Sequence, residues 1–416
     1  MSTAPGAGPR RAALAFIYVT VLLDMLAFGL AIPVLAFLYR ELAGNDTARA
    51  AAVSGWFGLA FAAMQLVFAP VLGSLSDRFG RRPVLILSNV GLAADYALMA
   101  FAPSLAWLFA GRLIAGVTSA SFSTASAYIA DTAPPDKRAA AFGMLGALFS
   151  VGFILGPWVG GELGTIDLRL PFWVAGGLSL LNAFYGFFVL PESLPREQRA
   201  PFSWKRANPV GALALLRGSP LLLGLAAVAL LNYLGHDVNP HVFGFYAMER
   251  YGFDEALVGR TLMAVGVGGV IVSGLLVGPL VRVLGERKAL LLGLGSGALG
   301  FGLQAFAPTA LWFWAGVPFI NLWSINGPAM QSLMVARVAA SAQGQLQGAL
   351  QSLRGLCSLA TPVLFTQVFV LGTPLLAGAP YWLAAVLVGA ALLVAARVAR
   401  PHAGDRACTG AHGSSP

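Results

Sequence analysis

Between two long apolar runs, the stretch Gly73-Ser-Leu-Ser-Asp77-Arg78-Phe-Gly80-Arg81-Arg82-Pro83 gathers four charges into six positions. A soluble chain has little use for such a clump. Between two membrane spans it reads as a tight cytosolic turn, with its arginines on the side that the positive-inside rule requires. Gly73 and Gly80 are expected to let the chain fold back sharply, and Pro83 suits the first turn of the next helix.

The remaining chain obeys the same logic. Only 10% of its 416 residues are charged and 58% are hydrophobic, with a mean hydropathy of +0.77. A globular protein carries about 25% charge, so most of this surface must face lipid. A span needs about 20 apolar residues. Runs between turn signals supply twelve: 12–38, 52–74, 83–102, 105–131, 138–162, 170–190, 219–246, 256–283, 287–307, 309–336, 343–370 and 378–399. They are too long and too evenly apolar for the alternating strands of a barrel. The expected fold is therefore an all-α integral membrane protein of twelve transmembrane helices.

With both termini cytosolic, 19 of the 26 Lys and Arg fall in the tails and cytosolic loops. Arg40, Arg49, Arg169, Arg250 and Arg260 fall on the opposite face, and Arg112 and Arg354 lie inside spans. The net charge of +9 is thus a topology signal, and no basic soluble face is present to bind nucleic acid. The first span is expected to stay uncleaved, because no small-residue cleavage site follows it. Cys357 and Cys408 share no context that implies a disulfide or metal framework.

The chain also repeats itself. Phe101-Ala-Pro-Ser-Leu-Ala-Trp-Leu-Phe-Ala-Gly111 aligns with Phe306-Ala-Pro-Thr-Ala-Leu-Trp-Phe-Trp-Ala-Gly316 at a shift of 205. The same shift carries Gly73 to Gly278, Arg82 to Arg287, Gly143 to Gly348 and Pro157 to Pro362. Parallel repeats of this kind build transporters whose two bundles rock about a central site. The expected division is a cytosolic tail 1–11, a six-helix bundle 12–190, a cytosolic linker 191–218, a second six-helix bundle 219–399 and a disordered tail 400–416. The linker, with its prolines and five basic residues, is long enough to permit relative motion. No enzyme motif or ion-filter signature stands out.

Charge within a bilayer costs about 2.5–3.5 kcal/mol per residue on insertion scales, so each case asks for a function. Asp24, mid-span, is either a cavity carboxylate that exchanges a proton or a neutral acid joining two helices. Gly29 and Pro33, which weaken the helix nearby, favour the first. Asp95, beside Tyr96, is a second proton site or a polar packing contact; burial without an assured cation favours a neutral carboxyl. Arg112 stays charged and must find an acid or a carbonyl, as a coupling device or a structural pair. Nothing around Arg354 decides its role. Asp131 closes span 4 near the arginine turn, where one of Arg78, Arg81 or Arg82 is expected to bridge to it. Asp77 is expected near the start of a helix in the other half, most simply span 11 at Gln343–Gly344, where the helix dipole is positive. Gly152, Gly156 and Gly160 stand four apart on one face of span 5, beside Pro157 and Gly161, and permit close helix approach. His236, Asp237, Asn239 and His241 form a polar patch in span 7 that suggests a water-lined cavity. Their spacing matches no recognised zinc helix motif.

These motifs together resemble the major facilitator superfamily, and more narrowly its twelve-span drug:proton antiporters of the tetracycline-resistance type. The turn at 73–83 resembles the family's GxxxDRxGRR signature, Arg112 with Gly116 its span-4 coupling motif, and Gly152-x3-Gly156-Pro157-x2-Gly160-Gly161 its antiporter motif. Asp24-x8-Pro33, Met64-Gln65-x3-Ala69-Pro70, Asp95-Tyr96 and Ile129-Ala-Asp131 are also similar to tetracycline exporters. The resemblance is strong in the first half and weaker, though continuous, in the second. It implies two pseudo-symmetric six-helix bundles in a bacterial inner membrane, working as a monomer. It implies proton coupling by Asp24, Asp95 and Arg112. The implied substrate cavity contains Asp24 and Gln65, to which the polar patch of span 7 adds His236, Asp237 and Asn239. The implied cytosolic gate contains Gly73, Asp77, Arg78, Gly80, Arg81, Arg82 and Asp131. The cargo is a small amphipathic drug exchanged for protons, with tetracycline the leading candidate. No cofactor or ATP site is expected, and a divalent metal enters, if at all, with the cargo. The chain departs from enterobacterial-type exporters in span 8, where Gly269 replaces a His, and in span 9, where Gly297 replaces an Asp. A neutral or cationic amphiphile, or recruitment of His236 or Asp237, would fit that departure. Two alternatives remain: a carrier of another metabolite, against which the span-5 glycines argue, and a non-transporting sensor, which would tolerate loss of Asp24 and Arg112.

Overall fold

A computed structural model describes residues 7–119, 121–201, 215–216, 218–339 and 342–398, with side chains from Ala13 onward. Residues 202–214 and 217 of the expected linker, and the C-terminal tail with Cys408, lie outside the described residues. Within them the secondary structure is helical, without a strand.

Span 1 is Ala7–Leu42, span 2 Thr47–Phe79, span 3 Arg81–Phe101, span 5 Arg138–Ile166, span 6 Leu170–Phe188 and span 12 Ala379–Val398. Several outrun their apolar cores, because helix hydrogen bonding continues into the polar ends. Others are broken. Span 4 is Leu105–Thr118 followed by Ser121–Thr132, and span 7 is Pro220–His236 followed by Val238–Tyr251. Span 8 begins as Glu255–Ile271, loosens into a π-turn at Val272–Leu276 and runs on into Val277–Phe306, which also contains span 9. Span 10 is three short helices, Ala310–Ala315, Val317–Trp323 and Asn326–Val335. Pro318 and Pro328 sit near its breaks, where a missing N–H and the ring prevent continuation. Span 11 is Gln343–Gln367 with a π-turn at Val368–Gly372. Ten helices among the described residues are long and apolar enough to cross a membrane. One of them, Glu255–Phe306, holds two spans, and the broken span 10 is not among the ten, which together account for twelve.

The repeat is visible in the backbone. Gly80 turns at φ 108° and ψ 161°, and Gly285, one repeat away, at φ 75° and ψ 160°. Both φ values are costly for any residue with a Cβ. Ala102 and Ala307, ending spans 3 and 9, adopt φ −55°, ψ 113° and φ −50°, ψ 110°. The turn is tighter than the sequence suggested. Gly73 lies within the span-2 helix, with open space where its Cβ would be, and Gly80 alone makes the reversal.

The described residues form two compact units, one within 1–209, 237–270 and 358–380, the other within 210–236, 271–357 and 381–416. The division follows contacts, not chain halves, and cuts spans 7, 8 and 11 and the first turn of span 12. In the first unit, segments of those spans lock onto the first six spans through backbone contacts. A Cβ on Gly161 would lie 3.1 Å from Gly259 Cα, and Gly259 backs onto the Pro157 carbonyl. A Cβ on Gly58 would lie 2.8 Å from Pro362 Cβ, and Gly55 backs onto Thr366. Pro157 and Pro362 are one repeat apart, so the span 5–span 8 and span 2–span 11 contacts are the same device used twice. The first is clipped at its exposed end by Arg260, whose Nε and Nη2 donate to the two Glu162 oxygens at 2.7 and 3.1 Å. In the second unit, Trp323 Nε1 donates to Asn232 Oδ1 at 2.9 Å, and Arg287 Nη2 reaches the Ala396 carbonyl at 3.5 Å.

Candidate functional site

The first unit holds two buried acids. Asp24 is 5% exposed and accepts a hydrogen bond from Asn182 Nδ2 at 2.8 Å. The same amide donates to the Thr20 carbonyl at 2.9 Å, and the Ser121 side chain is a second hydrogen-bond partner of Asp24. Spans 1, 4 and 6 thus converge on one carboxyl. Asp95, 1% exposed, forms an ion pair with Arg112 through a single oxygen and a single nitrogen. The Arg112 guanidinium also lies 5.8 Å from the Phe61 ring centre and 3.6 Å from Met99 Sδ. Asp95 Oδ1 and Arg112 Nε are both buried without a hydrogen-bond partner among the described residues. Such orphaned atoms are rare in native interiors and call for an explanation. Tyr96 lies within electrostatic reach of Asp24, Asp95 and Arg112, and Tyr39 within reach of Asp95 and Arg112.

Glycines shape this region. Gly111 leaves room for the Asp95 carboxylate, and Gly116 abuts Phe61 and Met64 of span 2, beside half-buried Gln65. Gly152, Gly156 and Gly160 face span 1 at Met25, Gly29 and Leu30, where a Cβ on Gly156 would stand 2.6 Å from Gly29 Cα. Gly161 faces span 8 instead.

At the end of the unit that carries the arginine turn, Arg81 is the arginine that meets Asp131, with Nε 3.0 Å from Oδ2, while its Nη1 donates to Asp77 at 2.6 Å and to Ser76 at 2.7 Å. Arg82 grips the end of span 6, donating to the carbonyls of Gly186 and Phe187. Arg78 lies over the Phe79 ring. Glu192 accepts from the backbone N–H groups of Arg81 at 2.8 Å and Arg82 at 3.3 Å. It caps span 3 where the orphaned donors and dipole favour an anion.

The polar patch of span 7 is divided. Asp237, buried, accepts from Thr361 Oγ1 at 2.8 Å, with His241 Nε2 3.5 Å from the same hydroxyl. Asn239, half-buried, belongs to this first unit. His236 belongs to the second, where its ring lies 5.5 Å from Trp323 and its Nδ1 3.4 Å from Arg354. Arg354 also covers the Tyr233 ring at 5.2 Å, which supplies the surroundings that its sequence context lacked. Gly297 backs directly onto the Trp323 indole, so a side chain at that position would collide with it.

Several of these residues escaped the sequence reading. Asn182 was legible only as an amide in an otherwise apolar helix. Glu192 follows span 6 in a Pro-Glu-Ser turn, and Tyr39 belongs to no motif. Gly259 had no motif.

Residues 17–362 match the model of the Major Facilitator Superfamily. The chain belongs to that superfamily. It is a multi-pass membrane transporter and not an enzyme. It is 37% identical to the class C tetracycline resistance protein of Escherichia coli over 387 residues, which cover 91% of this chain and 94% of that one. It is 38% identical to the class G protein of Vibrio anguillarum, with coverage of 83% and 88%. Among solved structures, the human organic anion transporter MFSD10 superposes with a TM-score of 0.67 at 25% identity, covering 93% of this chain and 99% of that one.

Proposed function

We propose that this transporter exports a small amphipathic drug, with a tetracycline-type antibiotic the leading candidate, in exchange for protons across a bacterial inner membrane. The observation that carries the proposal is the Asp95–Arg112 pair. Asp95 is buried and Arg112 mostly so, the pair is singly bonded, each partner keeps one polar atom unmatched, and Tyr96 lies within electrostatic reach of both the pair and Asp24. A proton arriving at Asp95 weakens its hold on Arg112, and the guanidinium is then drawn to another acceptor, on the protein or on the cargo. Charge and proton occupancy are thereby coupled. Names of relatives that confer tetracycline resistance support the substrate class.

The Gly–Pro contacts of span 5 with span 8 and of span 2 with span 11 close one end of the first unit and must part in each transport cycle. The Arg81–Asp77–Asp131 cluster serves as the gate at the other end, which we place in the cytosol together with both termini. No cofactor takes part, and the monomer is the working unit. One proton moving down 100 mV supplies about 2.3 kcal/mol. This exceeds the about 1.4 kcal/mol that a tenfold gradient costs.

A cargo other than tetracycline is favoured by one observation: at position 297, Trp323 occupies the space that an acidic side chain would need. The test is reconstitution into liposomes with a panel of tetracyclines, cationic dyes and metabolites, comparing the intact protein with Asp95→Asn. The expected result is cargo movement that rises with an imposed pH difference, moves protons the opposite way and is lost in Asp95→Asn. Equal cargo flux with and without the pH difference overturns the proposal.

A further inference from the structure

A groove of about 590 Å³ opens on the flank of the first unit where span 3 begins and span 6 ends, lined by Phe79, Ile86, Leu87, Val90, Phe187 and Arg82, among others. Leu87, Val90, Phe79 and Phe187 are about half exposed, as expected of side chains that face lipid. Two cations stand at its polar end, Arg82 and Arg199. Arg82 donates Nε and one Nη2 hydrogen to the carbonyls of Gly186 and Phe187, and Arg199 donates Nε to the Leu194 carbonyl at 3.4 Å. Their other guanidinium donors have no protein acceptor among the described residues, and neither arginine forms an ion pair there. Glu192, the acid in this lining, directs its oxygens to the backbone amides of Arg81, Arg82 and Leu194, so its charge serves the helix end.

We propose that this groove binds an acidic phospholipid. Its phosphate sits between Arg82 and Arg199, and an acyl chain lies along Ile86, Leu87, Val90 and Phe187. A guanidinium fork suits phosphate oxygens better than an ammonium does. The groove runs from charged helix ends into apolar surface, the gradient that a phospholipid itself presents. The site lies on the lipid-facing flank beside the expected cytosolic gate, which includes Arg82, and the proposal rests only on the chain's membrane embedding.

The experiment uses the full-length protein in detergent, with lipid occupancy read by native mass spectrometry. The probes are phosphatidylglycerol, phosphatidylcholine of the same acyl chains, and inorganic phosphate. The attraction of two arginines for an acidic headgroup, about 1 kcal/mol each, sets the expected preference for phosphatidylglycerol at about tenfold or more. Arg199→Gln removes most of that preference, and Val90→Trp, which fills the groove, weakens both lipids. Inorganic phosphate at millimolar concentration leaves lipid occupancy unchanged. Equal occupancy by the two lipids in the unaltered protein overturns the proposal. So does an undiminished preference in Arg199→Gln. Displacement by free phosphate together with an unaffected Val90→Trp identifies a soluble-anion site and overturns it as well.

Discussion

Positions 205 apart share backbone geometry in the two halves of the chain and carry opposite chemistry. Asp24, Asp95, Arg112 and Asn182 of the first half correspond to Ala229, Gly300, Val317 and Leu387 of the second. The glycine column at 152, 156 and 160 becomes Cys357, Thr361 and Phe365. In the turn after spans 2 and 8, Asp77 and Arg81 become Arg282 and Glu286, so the polarity is reversed. Arg81 bridges two acids in the first half, whereas Glu286 takes a hydrogen bond from Ser332 in the second. What survives in both halves is the positive-φ glycine and the following arginine that holds the end of a late span, Arg82 on span 6 and Arg287 on span 12. The fold therefore needs the reversal and the grip. The Asp95–Arg112 pair and the Asp77–Arg81–Asp131 cluster are not repeated at the matching positions of the second half.

The largest effect is expected where this asymmetry is steepest. Arg112→Ala leaves Asp95 buried without its cation, a loss of about 3–5 kcal/mol, and proton-driven transport in liposomes should fall more than about a hundredfold. The counterpart Val317→Ala trims a partly buried apolar side chain, costing about 1 kcal/mol, and should transport nearly normally. Equal damage from both would erase the proposed division of labour.

Gly156→Leu tests the glycine column. The new side chain meets the Gly29 backbone, and overpacking of this kind costs about 1–3 kcal/mol. Thermal unfolding in detergent should start at a lower temperature. An unchanged melting profile would mean that spans 1 and 5 do not need close approach.

Installing the second-half residue at Asn182 sharpens the comparison at Asp24. Asn182→Leu removes a donor from a buried carboxyl, worth about 1–1.5 kcal/mol. The initial rate should drop about tenfold while protein yield holds. The pH profile of transport should change shape, which a purely structural amide would not cause. Asn182→Gln, with the same amide on a longer stem, should recover part of the rate.

The smallest effect belongs to the exposed clip. Glu162→Gln removes the Arg260 ion pair at the end of spans 5 and 8, and the rate should change by less than about twofold at physiological salt, with a larger difference at low salt. A tenfold change at high salt would show that this pair, and not the glycine packing, holds that end shut.

The sequence made much of this legible. Long apolar runs, a clump of arginines between two of them and one repeat offset were enough to infer twelve helices in related halves. Asp24, Asp95 and Arg112 stood out because charge within an apolar run is conspicuous. Asn182 did not, since a single amide costs less and leaves no pattern. Glu192 lay in a connection, where an acid is ordinary. The reversal at Gly80 was placed among two glycines because local sequence does not tell a helical glycine from a turning one.

Apolar length and hydrophobic content are properties of consecutive residues, so the sequence alone determined that this chain is a helical membrane protein built on a repeat. The partners of its charges are a different matter. Arg112 finds Asp95 across 17 residues, Glu192 reaches Arg81 across 111 and Asn182 finds Asp24 across 158. Each partner is chosen by which helix faces pack together, and that packing depends on backbone contacts at glycines scattered through the chain. Only the tertiary structure could decide it.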